Sequence, residues 1–189
     1  MGYTNYWSRE NTPHDEKIWN QLVMDCKTLY KHLPSEVDGE PLLLNGCSRF
    51  KNATFNKDLV LFNGTHTTVR TKSSDGYWEN VDRSRDLGLE TFSLTRKVQG
   101  DRRMRNNKYV FEFCKTAHKP YDLMVTACLI LYKYYFYDAV QVSSDSDMED
   151  WLPAFKLIGT VLPYGRVLAL DNELGEFKLF EELPQFKET

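Results

Sequence analysis

The chain lacks most of the residue patterns that mark a known chemistry, and each gap removes a class of function. Its four cysteines, Cys26, Cys47, Cys114 and Cys128, form no Cys-x-x-Cys pair, which removes the usual zinc frameworks. The histidines, His14, His32, His66 and His118, show no ligand spacing. No phosphate-binding P-loop, dinucleotide fingerprint, serine nucleophile elbow or zinc-protease motif is present. Positive charge is not in excess: 24 Lys and Arg stand against 27 Asp and Glu, a net charge of −3. A general electrostatic attraction to DNA or RNA is therefore not expected. The longest apolar stretch, around Leu123 to Tyr132, is too short to span a bilayer, so no membrane partner is expected. The first residues do not follow the basic, apolar and cleavage-site order of a leader, and the expected location is the cytoplasm. Neither an internal repeat nor a low-complexity segment is found.

What is there is an ordinary globular composition with one bias. Apolar residues make up 41% and charged residues 27% of 189 positions, enough for one domain over 1–189 with a real core. Aromatic residues reach 14%, with eleven Tyr and eleven Phe. Such rings fill cores, but they also offer flat stacking surfaces with a polar tip. Gly2 to Ser8 reads as a strand. Thr12-Pro13-His14-Asp15 reads as a helix start, with Thr12 as cap and Pro13 in the first helical position. Ile18, Leu22, Cys26, Leu29 and Leu33 then recur at helical spacing until Pro34. Leu42 to Leu44, Asp58 to Phe62 and Leu89 to Leu94 are expected strands, with Asn45-Gly46 and Asn63-Gly64 as turns. Thr65 to Asp86 reads as a long polar loop with room for a short hairpin. Tyr109 to Cys114, Pro120 to Tyr137 and Ala139 to Ser143 read as strand, helix, strand. A helix over Asp147 to Val161 and a hairpin of Arg166 to Leu170 with Phe177 to Phe180 follow. The expected class is α+β: a single mixed sheet carrying two or three helices, with a β-α-β unit over about 109–144.

The densest chemistry lies at Phe113-Cys114-Lys115-Thr116-Ala117-His118-Lys119-Pro120-Tyr121-Asp122. Here a strand hands over to a helix N-terminus, whose first N–H groups lack internal partners and carry partial positive charge. Lys115, Thr116 and Lys119 would add donors to that anion-favouring corner. If the two strands of the unit are parallel, Ser143, Ser144 and Asp145 end on the same sheet edge, where ligands of open α/β sheets bind. The competing account is structural: solvated lysines, Asp122 complementing a helix dipole, and Ser143 to Asp145 capping the next helix. The basic run Arg96 to Lys108 is either a solvated turn or a flap over a phosphate. Asp145, Asp147, Glu149 and Asp150 could bind a divalent cation, or merely favour a helix start.

Several segments taken together resemble a family of small proteins from tailed-phage genomes and some bacteria. Members open Gly-Tyr-Thr-His-Tyr-Trp, and this chain opens Gly2-Tyr3-Thr4-Asn5-Tyr6-Trp7. Asn63-Gly64, Glu90-Thr91-Phe92, Phe113 to Thr116 with Lys119 to Asp122, Val142 to Asp145 and Asp150-Trp151 match the rest of the pattern. Asn5 stands where the family has histidine, and His118 where arginine is common. Asparagine keeps hydrogen-bonding capacity but not acid–base capacity, which favours binding over catalysis. The resemblance implies a setting, a bacterium under phage attack, rather than a reaction. In that setting the expected function is a phage anti-defence protein that sequesters a nucleotide-derived immune signal, in the cytoplasm of the infected host. An aromatic ring among Tyr3, Tyr6 and Trp7 would stack on a base. The full expected ligand set is Tyr3, Asn5, Trp7, Lys115, Thr116, Lys119, Tyr121, Asp122, Ser143, Ser144 and Asp145, with no cofactor, no metal and no catalytic residue. A homo-oligomer is compatible with such a role. The alternatives are a metal-independent hydrolase of cyclic nucleotides using Lys115, His118 and Asp122, and a protein-interaction module whose aromatic residues are core.

Overall fold

The computed structural model describes residues 3–47, 51–65, 69–72, 74–76, 78–81, 86–98, 108–162, 168–171 and 176–179. Strand β1 (Thr4–Glu10) alternates as a half-buried strand should: Asn5, Trp7 and Arg9 are buried, whereas Tyr6, Ser8 and Glu10 are partly open. Helix α1 (Glu16–Lys31) is capped by Asp15, not by Thr12 as expected. The Asp15 carboxylate accepts from the N–H groups of Lys17 at 2.9 Å and Ile18 at 3.0 Å. A charged acceptor at this place satisfies two orphan donors and meets the positive end of the dipole, so Thr12 and Pro13 stay outside. Trp19, Leu22, Val23, Cys26 and Leu29 make the buried stripe.

Five strands follow: β2 (Glu36–Val37), β3 (Glu40–Pro41), β4 (Leu44–Asn45), β5 (Thr54–Phe55) and β6 (Leu59–Gly64). Within the segment expected to be a polar loop, β7 (Val69–Lys72) and β8 (Trp78–Val81) pair as a hairpin. Next, β9 (Phe92–Thr95) pairs antiparallel with β6. Asn63-Gly64 therefore ends a strand instead of making a turn. Asn63 Oδ1 accepts from Gly64 N–H at 2.7 Å and Leu89 N–H at 3.2 Å, and its Nδ2 donates to Leu89 O at 3.1 Å. Two backbones cross here so closely that a Cβ on Gly64 would lie 1.9 Å from Leu87 O. The glycine answers a close approach, not a turn conformation.

Strand β10 (Tyr109–Lys115), helix α2 (Asp122–Phe136), a single 3-10 turn (Tyr137–Ala139) and strand β11 (Val140–Ser144) form the centre of the molecule. β1 lies between β10 and β11 and is antiparallel to both. β10 and β11 thus run parallel, with α2 as their crossover, and the β-α-β unit is present but split by β1. α2 is buried continuously from Met124 to Tyr132, packed against β11 and between α1 and α3 (Met148–Val161). Asp147 caps α3 by accepting from Glu149 N–H at 3.1 Å. β12 (Leu168–Asp171) and β13 (Glu176–Leu179) close the described chain as the expected hairpin.

The class is α+β with three helices. The strands are shared among several sheets where one was expected. Just before β9, Glu90 meets the end of β10. Lys115 N–H donates to the Glu90 carboxylate at 2.6 Å instead of a backbone carbonyl, so the ladder does not continue. Glu90 N–H returns to Lys115 O at 3.3 Å as the backbone bond at that junction. No helix among the described residues is long and apolar enough to cross a membrane.

Candidate functional site

The parallel ends of β10 and β11 bring the predicted residues to one edge, with the start of β1 between them. Thr4 is opposite Lys115, and Asn5 is opposite both Cys114 and Ser144. Tyr3 O accepts from Thr116 N–H at 3.2 Å and Ala117 N–H at 3.1 Å, while Thr4 O accepts from Asp145 N–H at 3.0 Å. To make that turn, Ala117 and His118 take φ of 51° and 56°, a left-handed conformation costing about 1–2 kcal/mol per non-glycine residue. The turn drops the Thr116 hydroxyl onto Asp122 Oδ1 at 2.7 Å, and Asn5 Nδ2 reaches the same oxygen at 2.8 Å. Ser144 Oγ donates to Asn5 Oδ1 at 3.0 Å, Ser146 Oγ lies 3.1 Å from Ser144 Oγ, and Trp151 Nε1 donates to Ser146 at 2.9 Å. Burial raises the Asp122 pKa to about 6, while the bonds from Thr116, Asn5 and Tyr3 and the charge of His118 pull it back. Burial likewise raises the Tyr3 phenol, and the His118 ring lies against it with centroids 4.1 Å apart.

This edge is a closed polar network, not an open cleft. Tyr3, Asn5, Thr116, Tyr121 and Asp122 are all buried. Tyr121 donates its hydroxyl to Glu90 O at 2.9 Å, and Lys119 gives its ammonium to Asp86 O. Trp7 is core: its Nε1 donates to Glu112 Oε2 at 2.9 Å and its ring meets Phe92 at 5.4 Å. The placements of Tyr3, Asn5, Trp7, Thr116, Lys119, Tyr121 and Asp122 thus have structural partners within the chain. Among the described residues no group of three or more His, Cys, Asp or Glu could hold a metal ion. Most of the basic run, residues 99–107, lies outside the described residues, as does His66.

The opposite face of the same sheet is open and aromatic. Tyr109, Phe111 and Phe113 alternate outward along β10 with relative exposures of 55%, 61% and 54%. The Tyr6 ring, on the neighbouring strand, stacks on Phe111 with centroids 5.8 Å apart and planes 23° apart, and Phe113 follows Phe111 at 6.5 Å. Between Tyr6, Phe111, Ser8, Gln141 and Ser143 lies a pocket of about 240 Å³. Trp7 and Val142, both buried, also line it. Ser8 Oγ donates to Gln141 Oε1 at 3.3 Å. Tyr6 hydroxyl donates to Asp145 at 3.2 Å. Exposed Lys115 lies on this face beyond Phe113. At the other end, Lys108 Nζ sits 5.1 Å from the Tyr109 ring centroid. Of the predicted set, Lys115, Ser143 and Asp145 belong to this face, together with Tyr6, while Ser144 turns inward to Asn5.

Phe111 and Phe113 were not in the predicted set. Their signal was the period of two in Tyr109-Val-Phe-Glu-Phe-Cys-Lys115, but alternation alone does not say which set faces water. Searches of the chain against family models, curated proteins and solved structures found no match.

Proposed function

We propose that this protein binds and sequesters a nucleotide-derived small molecule, with one base held in the Tyr6–Phe111 pocket. The observation that supports this reading is the pocket itself: two near-parallel rings, Phe111 exposed and Tyr6 partly open, beside amide and hydroxyl groups, the pairing that recognises a planar heterocycle. Its volume falls below the ~300–1,000 Å³ of sites for drug-sized ligands, so it suits one ring system. Lys115 is four residues along β10 from Phe111, roughly 13 Å at strand rise, which is far from the base for a mononucleotide phosphate. A signal with two nucleotides spans that distance, with Phe113 under its middle. The anti-defence role rests on the resemblance to phage proteins and on this chemistry.

The test is to incubate the protein with adenine and guanine mono-, di- and cyclic dinucleotides, remove free ligand, heat the complex and analyse what is released. Intact ligand supports sequestration. Products at catalytic ratios would make the protein a hydrolase. Neither retention nor turnover would leave the aromatic face to a protein partner. Lys115→Ala should weaken the retained ligand by ~1.5–3 kcal/mol if the contact is a charge-assisted hydrogen bond, with melting temperature unchanged because an exposed charge adds little to folding.

A further inference from the structure

The pairing of β10 leaves one of its edges unused. β1 takes the even-numbered residues: Asn11 N–H donates to Lys108 O at 2.9 Å at one end of the ladder and Thr116 N–H to Tyr3 O at 3.2 Å at the other, in a register without a break. The alternate residues of an antiparallel ladder turn their N–H and C=O groups to the far side. For Lys115 that side is filled by Glu90, whose carboxylate accepts from Lys115 N–H and whose own N–H donates to Lys115 O. Tyr109, Phe111 and Phe113 meet no strand there among the described residues, because β10 is the outermost strand of its sheet.

Edge strands of monomeric proteins are commonly blunted by proline, lysine, a bulge or an inward-pointing charge. From Tyr109 to Phe113 there is no proline, lysine or bulge, and the one charged residue, Glu112, is held by Trp7 Nε1 at 2.9 Å. The three side chains on the outer face are rings more than half exposed. Such an edge is a template for another strand. Its symmetry names that strand. The free groups sit on three alternate residues centred on Phe111. An antiparallel copy therefore sets Phe111 opposite Phe111 and Tyr109 opposite Phe113, each pair exchanging both backbone bonds. Opposed residues share a face, so the rings of both copies stay together on the outer side. The ends match in charge as well. Exposed Lys108 precedes the free edge and Glu90 closes it, so the reversal of direction brings Lys108 of one copy alongside Glu90 of the other.

We propose that β10 pairs antiparallel with β10 of a second copy about a two-fold axis at Phe111, joining two three-stranded sheets into one. The edge used lies on the far side of β10 from β1, whereas the Tyr6–Phe111 pocket lies over β1. The dimer thus stands independently of the nucleotide reading.

The experiment is sedimentation equilibrium of the full chain, without nucleotide, from micromolar to sub-millimolar concentration. Wild type should show twice the chain mass and dissociate on dilution. Phe113→Pro removes one edge N–H and leaves the β1 ladder intact, and it should keep the chain monomeric throughout. A wild-type monomer at every concentration overturns the proposal and leaves the edge to a segment of another protein. A dimer that survives Phe113→Pro has its interface elsewhere and also overturns it. Should Phe113→Pro fail to fold, amide hydrogen exchange of the wild type decides. In the dimer the Phe111 and Phe113 N–H groups must exchange as slowly as those of Val110 and Glu112, which face β1, and must quicken on dilution. Fast exchange at Phe111 and Phe113 in a dimeric sample overturns the pairing.

Discussion

On its inner face the β10-β1-β11 sheet turns Asn5, Trp7, Arg9, Glu112 and Cys114 towards the core; on its outer face it turns Tyr6, Ser8, Tyr109, Phe111 and Phe113 towards solvent. The usual allotment of side chains is partly reversed, with amide, guanidinium and carboxylate inside and large rings outside. Each inner polar group must then find a partner, because an unsatisfied buried group costs more than a made bond returns. Asn5 does so with Asp122 and Ser144, and Glu112 does so with Trp7. The outer rings have no such obligation, and three half-exposed aromatic residues on one strand are the kind of surface that marks a binding face. The difference teaches that buried polarity here organises the fold, while large rings stand on the face left open to solvent, where hydropathy alone would not have put them.

That contrast can be broken first at its tightest point. Trp7→Ala should cost ~3–5 kcal/mol in a urea melt, since it opens a cavity against Phe92 and strips Glu112 of its donor. Asn5→Ala should cost ~1–3 kcal/mol by leaving Asp122 and Ser144 short of a partner; an Asn5→Ala protein as stable as wild type would mean that the network is dispensable.

The pH dependence sharpens the picture of the inner face. The folded chain keeps His14 neutral down to about 3, whereas the unfolded ring protonates near 6.5, so its contribution is lost as pH falls below 6.5. Asp122 acts in the opposite sense. Its folded pKa of about 6 exceeds the unfolded 3.8, so its contribution is full below 3.8 and disappears as pH rises through 6. Burial also raises Asp25 and Glu112, which act in the same sense as Asp122, so acidification from pH 6.5 to 3.8 sets the His14 loss against these carboxyl gains in a urea melt. Asp122→Asn, which keeps the Oδ1 acceptor for Asn5 and Thr116, should tip that balance towards loss; an unchanged slope would remove Asp122 from the account.

The smallest effect on stability should come from the outer face. Phe111→Ala, at a residue 61% exposed, should alter unfolding by no more than ~0.5 kcal/mol. The same change should weaken nucleotide retention by ~1–3 kcal/mol if a base stacks there. A loss of stability without a change in retention would mark Phe111 as structural.

Much of the framework was legible from periodicity. The strand-helix-strand order of the β-α-β unit, the buried α2 and the final hairpin all follow from runs long enough to carry a period; the parallel pairing that puts Lys115 and Ser143 on one edge, and the insertion of β1 between the two strands, do not. The cap of α1 was not, because Thr12 and Asp15 are both good caps and only geometry chooses between them. Asn63-Gly64 reads as a turn in sequence, yet its glycine serves a crossing of distant backbones that no local pattern records. The predicted ligand set failed to separate faces for a related reason. Polar residues at a helix start look alike whether they meet a ligand or one another, and only burial distinguishes Thr116 on Asp122 from a donor awaiting phosphate.

The crossing at Gly64 has an architectural consequence. Thr65 O accepts from Leu87 N–H at 3.0 Å, so the chain leaves for the β7–β8 hairpin and returns from it at nearly the same point. Asn63 then clamps Leu89, and the next residue, Glu90, hands its carboxylate to Lys115. The bond between Thr65 and Leu87 fixes where the chain leaves for the hairpin and where it re-enters, so residues inserted beyond that stem need not disturb the registration of the sheet that carries both faces.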